Sequence, residues 1–532
     1  NRDHPIMIIP VGFIDNILLA KYKQLLPSDV ILPIPSYETI IQVSRKDLVP
    51  KLCKQLGIKY PKIYVSEKGI DTPLVIKEVT DSSKPEYVFF TENLSEKVKY
   101  RKSKILIQEF IPGIGYGYFA LAKNGLIVVD YTHVRIIEEK PSGGPSIVSC
   151  IEFNPEVLRL GRKIIKKLKW TGILMVEFRR DLETGEYYLL ELNPKFWGSL
   201  ELATSKNIDI PKYLIETFLL HRKPEVKIKY NRKCFTWVLA GLHYLKQNPK
   251  VWIKILKKGL SEGILNTDIH LNDPSELLYS SISRFLNLFL NKHPMLKLSL
   301  RRQYLKNVLF LKAMLKAKKI EHVIFDFDGT LTNLDVPWDK VKKQLIEKHL
   351  IKPWDTIMIG LYKAREKNLG IFNEISRVIR KFEDEALEKV NVDNELYILL
   401  SELYKNNIRL AVVSKQESFT VKKALSKMGM LKYFSTVIGR EHEILRLVQL
   451  NEVLKRLNID PKKTIMLGDS IIDVVAALKK HILPIAIANN PYKLQQFIEF
   501  GVPCFTNIKG ALKYILKHIK RSANSDKYNT YT

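Results

Sequence analysis

At 532 residues the chain is too long for a single hydrophobic core and implies about two to four domains. Its 46% hydrophobic content, with 24 Gly and 25 Pro, is that of an ordinary globular protein, and four widely spaced cysteines (Cys53, Cys150, Cys234, Cys504) exclude a zinc ribbon or a disulfide framework and fit a reducing, cytoplasmic setting. The net charge of +30, from 86 Lys and Arg against 56 Asp and Glu, admits an anionic partner, yet the basic residues are dispersed and no nucleic-acid motif accompanies them, so no specific nucleic acid is expected. No apolar run reaches membrane-spanning length and no signal peptide is present. The chain begins at Asn1 rather than Met, which reads as a cut N-terminus.

Residues 1–215 alternate short β-branched runs with helical stretches, an α/β pattern. Lys46 opens a helical stretch, RKDLVPKLCKQLG. Pro73–Lys77 is an apolar strand ending in a lysine suited to a nucleotide phosphate, and Ile105–Gly113 is a strand leading to a hinge. Thr171–Phe178 then runs through the hairpin RRDLETGEYY into Leu189–Lys195. Glu177, Glu191 and Asn193 share parity on two hairpin-paired strands, so their side chains lie on one face, and three oxygen ligands there suit Mg²⁺ bridging ATP phosphates.

This order resembles the ATP-grasp superfamily, nearest its carbamoyl-phosphate-synthase-like carboxylate ligases, over about residues 40–215. The resemblance implies Lys46 and Lys77 on the ATP phosphates, Gln108, Glu109, Phe110 and Ile111 at the adenine, and Glu177, Glu191 and Asn193 on Mg²⁺, with Mn²⁺ as an alternative ion. The chemistry it implies is phosphorylation of a small-molecule carboxylate by ATP, then capture of the acyl phosphate by an amine or other nucleophile. Arg135 and the loop Ser142–Ser146, with Gly143 and Gly144, would face that acyl phosphate. Lys195 stands where the family commonly has Arg, and the hinge continues as GIGYGYF without the acidic residue expected for the ribose. The leading segment, IMIIPVGFIDNILLAKYKQLL, corresponds to the second half of the family's first subdomain. Residues 1–45 are therefore assigned to a partial pre-ATP-grasp subdomain and 46–215 to the ATP-grasp domain.

Residues 216–320 read as a helical, basic extension. His243, His270 and His293 are isolated and suit packing or surface positions better than ligation, and Trp237 and Trp252 suit a core. From Phe285 to Lys319 leucines and phenylalanines alternate with Lys and Arg. This basic amphipathic stretch suits either peripheral contact with an anionic membrane or, the favoured reading, a packed helical linker.

A second α/β unit begins with the strand His322–Phe325, which runs into Asp326-Phe327-Asp328-Gly329-Thr330. A strand IRLAVV ends at Ser414, and a strand TIML ends at Gly468-Asp469-Ser470, with Asp473 close behind. Three strands thus deliver carboxylates and a hydroxyl to one sheet edge, where a divalent cation with hard oxygen ligands relieves their repulsion. The pattern resembles the haloacid-dehalogenase superfamily over about two hundred residues. It implies Asp326 as nucleophile, Asp328 as acid/base, Ser414 on the phosphoryl group, and Asp326, Asp328, Asp469 and Asp473 at Mg²⁺. The family's usual Lys is missing. Arg446 is the nearest cation in register, with Lys415 or Lys422 as other sources of the charge. The helical stretch at about 335–400 resembles the small cap of phosphoglycolate-phosphatase-like members, which closes over a small organophosphate.

The expected architecture is a multidomain α/β chain: ATP-grasp α+β domains, a helical linker, a Rossmann-like hydrolase domain with a helical cap at 321–520, and a disordered tail at 521–532. The expected function is an ATP-dependent carboxylate ligase fused to a magnesium-dependent phosphatase. The alternatives are a phosphatase with a non-catalytic ATP-binding half, or a basic module for membrane or nucleic acid.

Overall fold

The computed structural model describes residues 5–64, 73–80, 85–90, 94, 104–138, 146–228, 230, 234–237, 266–267, 293–317, 319–390 and 392–528. At the start, strands Ile6–Met7 and Val30–Ile31 pair in parallel, with helix Phe13–Lys21 between them in the chain. Parallel pairing needs such a crossover, because a tight turn can only join antiparallel strands.

Two sheets follow, antiparallel throughout except that Cys234–Thr236 and Asn266–Thr267 pair in parallel. The smaller has four strands in the order Ile63–Tyr64, Ile105–Glu109, Leu74–Glu78, Glu86–Val88. The larger has seven, in the order Tyr187–Asn193, Gly172–Asp181, Gly113–Lys123, Leu126–Glu138, Ser146–Ile151, Cys234–Thr236, Asn266–Thr267. Helix Pro155–Lys167, capped by Asn154 accepting from the Val157 amide, buries Val157, Leu158, Ile164 and Ile165 in the core behind this sheet. Residues 113–119, read from sequence as a continuing hinge, open the long strand Gly113–Lys123 instead. Alternation of aromatic and small residues there fits a strand buried on both faces.

The sequence boundary at 215 does not end this sheet. Cys234–Thr236 pairs antiparallel with Ser146–Ile151, and Cys150 and Cys234 are register partners with Cα atoms 3.9 Å apart, joined as a disulfide. The spacing of the cysteines, read as excluding a disulfide framework and fitting a reducing setting, conceals one cross-strand pair 84 residues apart. Cys53 and Cys504 are free and buried.

The third unit is a six-stranded parallel sheet in the order Phe434–Ile438, Arg409–Val413, His322–Asp326, Thr464–Gly468, Leu483–Ile487, Cys504–Phe505. Its strands are buried apolar runs, as expected where helices cover both faces. His322–Asp326 lies at the switch point, flanked by Arg409–Val413 and Thr464–Gly468, where open α/β sheets leave a crevice for ligands. Helices Trp338–Glu347, Ile357–Lys367 and Leu369–Leu387 occupy the stretch read as a cap. Helix His293–Ala317, the described part of the basic stretch, buries Leu311 and Leu315 in the core of this unit. On the same helix Leu305 and Leu309 are exposed. The last helix, Ile508–Tyr528, runs past the expected start of the tail.

The units meet across a shared apolar core. Val75, Phe89, Phe90 and Phe110 from the first half pack with Val474, Val475, Phe497 and Phe500 from the second. Phe89 stacks on Phe500 with centroids 4.4 Å apart, and Phe110 meets Phe500 edge-on at 5.5 Å.

Candidate functional sites

The C-terminal site is assembled from the carboxyl ends of adjacent strands. Carboxylate oxygens of Asp326, Asp469 and Asp473 all lie within 4.8 Å of one another. Gly329 (φ +83°) allows Asp469 to approach, since a Cβ there would stand 2.5 Å from its Oδ2. Asp473 is held by a capping box: its Oδ2 accepts from the Ser470 amide at 3.1 Å and from Ser470 Oγ at 2.7 Å. Burial, and then the neighbouring Asp473 and Asp469, push the Asp326 carboxyl well above its ordinary range against the pull of Arg446. Three clustered carboxylates, two buried and one half-buried, are a donor set that fits Mg²⁺, whose charge would offset that repulsion.

Arg446 is the cation that joins Asp326 to Asp473. Its Nη2 donates to Asp326 Oδ1 at 2.6 Å, and its Nε stands 2.7 Å from Asp473 Oδ1, at ion-pair distance but outside hydrogen-bond alignment. Its Nη1 donates to Gln449 Oε1 at 2.8 Å, and Gln449 Nε2 donates in turn to the Ser414 carbonyl. Lys415 turns away to Glu183 and the Ile444 carbonyl, and Lys422 is exposed on its helix. Ser414 is fully buried, its Oγ bonded to Gln416 Oε1. Asp328 stands apart from the metal cluster: Oδ1 accepts from the Leu334 amide at 2.8 Å and Oδ2 from Gln416 Nε2 at 3.3 Å. Its assignment as a side-chain metal ligand is thus not supported by the geometry, whereas burial raises its carboxyl, as an acid requires. Sequence reasoning missed Lys493, which donates to Asp469 Oδ2 from a helix that enters the site only through the fold.

The N-terminal site is a cavity of ≈ 620 Å³ lined by the four-stranded and the seven-stranded sheet. Lys46, Lys77, Gln108, Glu109, Phe110, Ile111, Arg135, Glu177, Glu191, Asn193 and Lys195 all line it. Glu177 and Glu191 are register partners across the hairpin, and Asn193 pairs opposite Met175 on the same side of the bulge. Arg135 Nη2 donates to Glu177 Oε1 at 2.7 Å, and Lys46 Nζ lies 3.8 Å from Glu191 Oε2. Burial raises the Glu177 carboxyl and lowers the Lys77 ammonium, so each ion favours a bound counter-charge. Gln108 Nε2 and His133 Nε2 are buried without a hydrogen-bond partner among the described residues, as groups awaiting a polar ligand would be. Lys46 sits in the turn ahead of helix Val49–Leu56 rather than in its first turn. Glu109 Oε1 accepts from Lys479 Nζ of the other half at 2.8 Å. Gly143 and Gly144, with His243, His270 and Trp252, lie outside the described residues. His133, Arg179 and Ser199 also line the cavity and carry no motif that would have announced them.

Two family models match the chain. Residues 323–487 match the haloacid dehalogenase-like hydrolases, and residues 103–235 match the ATP-grasp domain in the biosynthetic pathway with Ter operon. The chain therefore carries two enzyme domains, an ATP-grasp ligase domain followed by a haloacid-dehalogenase-like hydrolase domain. Among similar proteins, pyrophosphatase PpaX of Oceanobacillus iheyensis is 26% identical over 184 residues, 32% of this chain and 84% of that protein. D-aspartate ligase of Enterococcus faecium is 20% identical over 248 residues, 40% of this chain and 58% of that protein. The solved L-amino acid ligase from Bacillus licheniformis is 18% identical at a TM-score of 0.33, over 40% of this chain and 55% of that one. The chain thus spans little more than half the length of these two ligases.

Proposed function

We propose that the C-terminal domain is a phosphatase acting on a small organophosphate through a phospho-aspartate, and that the N-terminal domain activates a carboxylate with ATP. The observation that carries the first reading is Arg446 held between Asp326 and Asp473 in a buried carboxylate cluster. Asp326 attacks phosphorus, and Asp328, with its raised carboxyl, gives its proton to the leaving oxygen. A water then attacks the same phosphorus and gives its proton back to Asp328, releasing phosphate and restoring Asp326. Arg446 and Ser414 hold the phosphoryl oxygens. Asp326, Asp469 and Asp473 would hold Mg²⁺, which supplies charge screening between nucleophile and substrate.

In the N-terminal cavity Lys46 and Lys77 would bind the ATP phosphates, and Glu177, Glu191 and Asn193 would hold Mg²⁺. A substrate carboxylate oxygen attacks the γ-phosphorus, ADP leaves, and an amine displaces phosphate from the acyl carbon. The similarity to D-aspartate ligase supports this carboxylate–amine chemistry. No helix among the described residues is long and apolar enough to cross a membrane, and the Cys150–Cys234 bridge runs against a reducing, cytoplasmic setting.

The test is phosphate release with Mg²⁺ from a panel of small phosphoesters and pyrophosphate, comparing wild type with Asp326→Asn. Release abolished in the variant supports the covalent aspartate. Equal release from both proteins rejects it. For the ligase, ADP formation that requires an added carboxylate is expected, and its absence across amino acids and hydroxy acids would reject that half of the reading.

A further inference from the structure

The two candidate sites share one β-hairpin. Glu177 and Glu191 sit side by side on strands Gly172–Asp181 and Tyr187–Asn193, and the turn joining those strands reaches into the hydrolase domain. The tip is built rather than loose: Asp181 Oδ1 accepts from the amides of Glu183 at 2.9 Å and Thr184 at 2.7 Å and from Thr184 Oγ1 at 2.9 Å. Its base is tied to the adenine hinge through Leu182 N–H donating to the Pro112 carbonyl at 3.1 Å.

The tip touches both the cap and the core of the hydrolase domain. On the cap side, Arg180 forms an ion pair with Asp355, both side chains 3% exposed, and donates to the Trp354 carbonyl. Gly185 packs so closely on the cap helix Ile357–Lys367 that a Cβ would stand 2.6 Å from Ile359 Cγ2. On the core side, Glu183 Oε1 accepts from the Arg446 amide at 2.9 Å and from Lys415 Nζ. Arg446 is the residue that holds Asp326, and Lys415 follows Ser414 directly.

We propose that Glu183 is a positioning residue for the phosphatase, supplied by the ligase domain, and that nucleotide at Glu177 and Glu191 changes phosphatase turnover through this hairpin. The proposal rests on both readings above. A carboxylate acting on a backbone amide and a neighbouring lysine sets where the Arg446 fork sits without touching substrate. A shift of the strands as their facing carboxylates gain a common cation moves the tip against cap and core together.

The experiment uses the full chain with a non-hydrolysable ATP analogue and Mg²⁺, reading hydrogen exchange in peptides covering Glu443–Leu447 and Trp354–Ile359 beside phosphoester turnover. In wild type, nucleotide is expected to change exchange in both peptides and kcat by about fivefold or more, with KM little altered. Glu183→Ala is expected to lose about tenfold in kcat and all response to nucleotide, and Glu183→Gln, which keeps an acceptor for the Arg446 amide, to recover most of the basal rate. Unchanged exchange and turnover in wild type on analogue binding overturns the proposal, as does an alanine variant that responds like wild type. Exchange that responds in a protein releasing no phosphate keeps the coupling and rejects the phosphatase reading instead. Failure of the analogue to bind rejects both the coupling and the nucleotide site.

Discussion

Arg446→Lys puts the family's usual residue back into the site, and the geometry expects it to make a worse enzyme. The arginine fork uses all three of its nitrogens: Nη2 on Asp326 at 2.6 Å, Nε 2.7 Å from Asp473, and Nη1 on Gln449 at 2.8 Å. An ammonium is a compact charge on a shorter reach and cannot span two carboxylates while also filling the Gln449 acceptor. Losing one charge-assisted contact costs about 1.5–3 kcal/mol. At about 1.4 kcal/mol per factor of ten, that is about ten- to hundredfold in kcat. Arg446→Met removes the charge altogether and leaves Asp326 and Asp473 facing each other in a buried site, for a loss of about a thousandfold. The sign of the pH effect also follows. Arg446 draws the raised Asp326 carboxyl downward, so removing it raises that group further. Since the nucleophile must be ionised, the acid limb of kcat/KM moves to higher pH in Arg446→Met. Initial rates of phosphate release at saturating Mg²⁺, taken across pH, measure all three quantities. A lysine variant as fast as wild type would show that the fork is not used and would refute the reasoning.

Other outcomes follow from the same structure. Arg440 and Glu383 are both fully buried and bonded at 2.6 Å between core and cap, so Arg440→Leu should cost about 3–5 kcal/mol and Arg440→Leu with Glu383→Leu considerably less, by denaturant unfolding. Burial holds the Glu383 carboxyl above its ordinary range, and without Arg440 it rises further. Between the unfolded and folded values the folded state then binds more protons, so stability falls as pH rises and the single variant's deficit shrinks on acidification towards about pH 5. Burial lowers the Lys77 ammonium, so nucleotide binding should weaken as pH rises through the loss of its proton, seen by calorimetry across alkaline pH; Lys77→Met should abolish that pH dependence. Under denaturing, non-reducing conditions iodoacetamide should label two cysteines, Cys53 and Cys504, and all four after reduction. Four labelled without reductant would reject the bridge.

What could be read from sequence is what lies near in the chain or at a strand end. Asp326, Asp469 and Ser414 each follow an apolar strand, and parallel pairing in a buried sheet leaves one edge for all three to meet. Glu177 and Glu191 were legible because hairpin pairing is local and parity survives the bulge between them and Phe178. Lys493 and Glu183 were not, because each reaches the hydrolase site from an element whose placement depends on tertiary packing. The Cys234–Thr236 strand was missed for another reason: three residues in a lysine-rich stretch carry no period, and only the neighbouring sheet edge makes them a strand. The family resemblance implies Asp328 as a metal ligand, while the turn at Gly329 sends its carboxylate to Leu334 and Gln416.

The aromatic contact of Phe89 and Phe110 with Phe500 bears on what counts as a separable piece of this protein. Phe110 belongs to the segment expected to hold the adenine, yet its ring is 5% exposed because the hydrolase domain covers it. Cutting the chain near residue 318 would open that seam and give each fragment a wet, sticky face, with Phe89 and Phe110 bared on one side and Phe500 on the other. Each half would lose solubility before its chemistry could be judged, and activity measured on an isolated fragment would understate what the joined chain does. Domain shuffling would meet the same obstacle: neither half could be passed alone to a new partner without first repairing this surface.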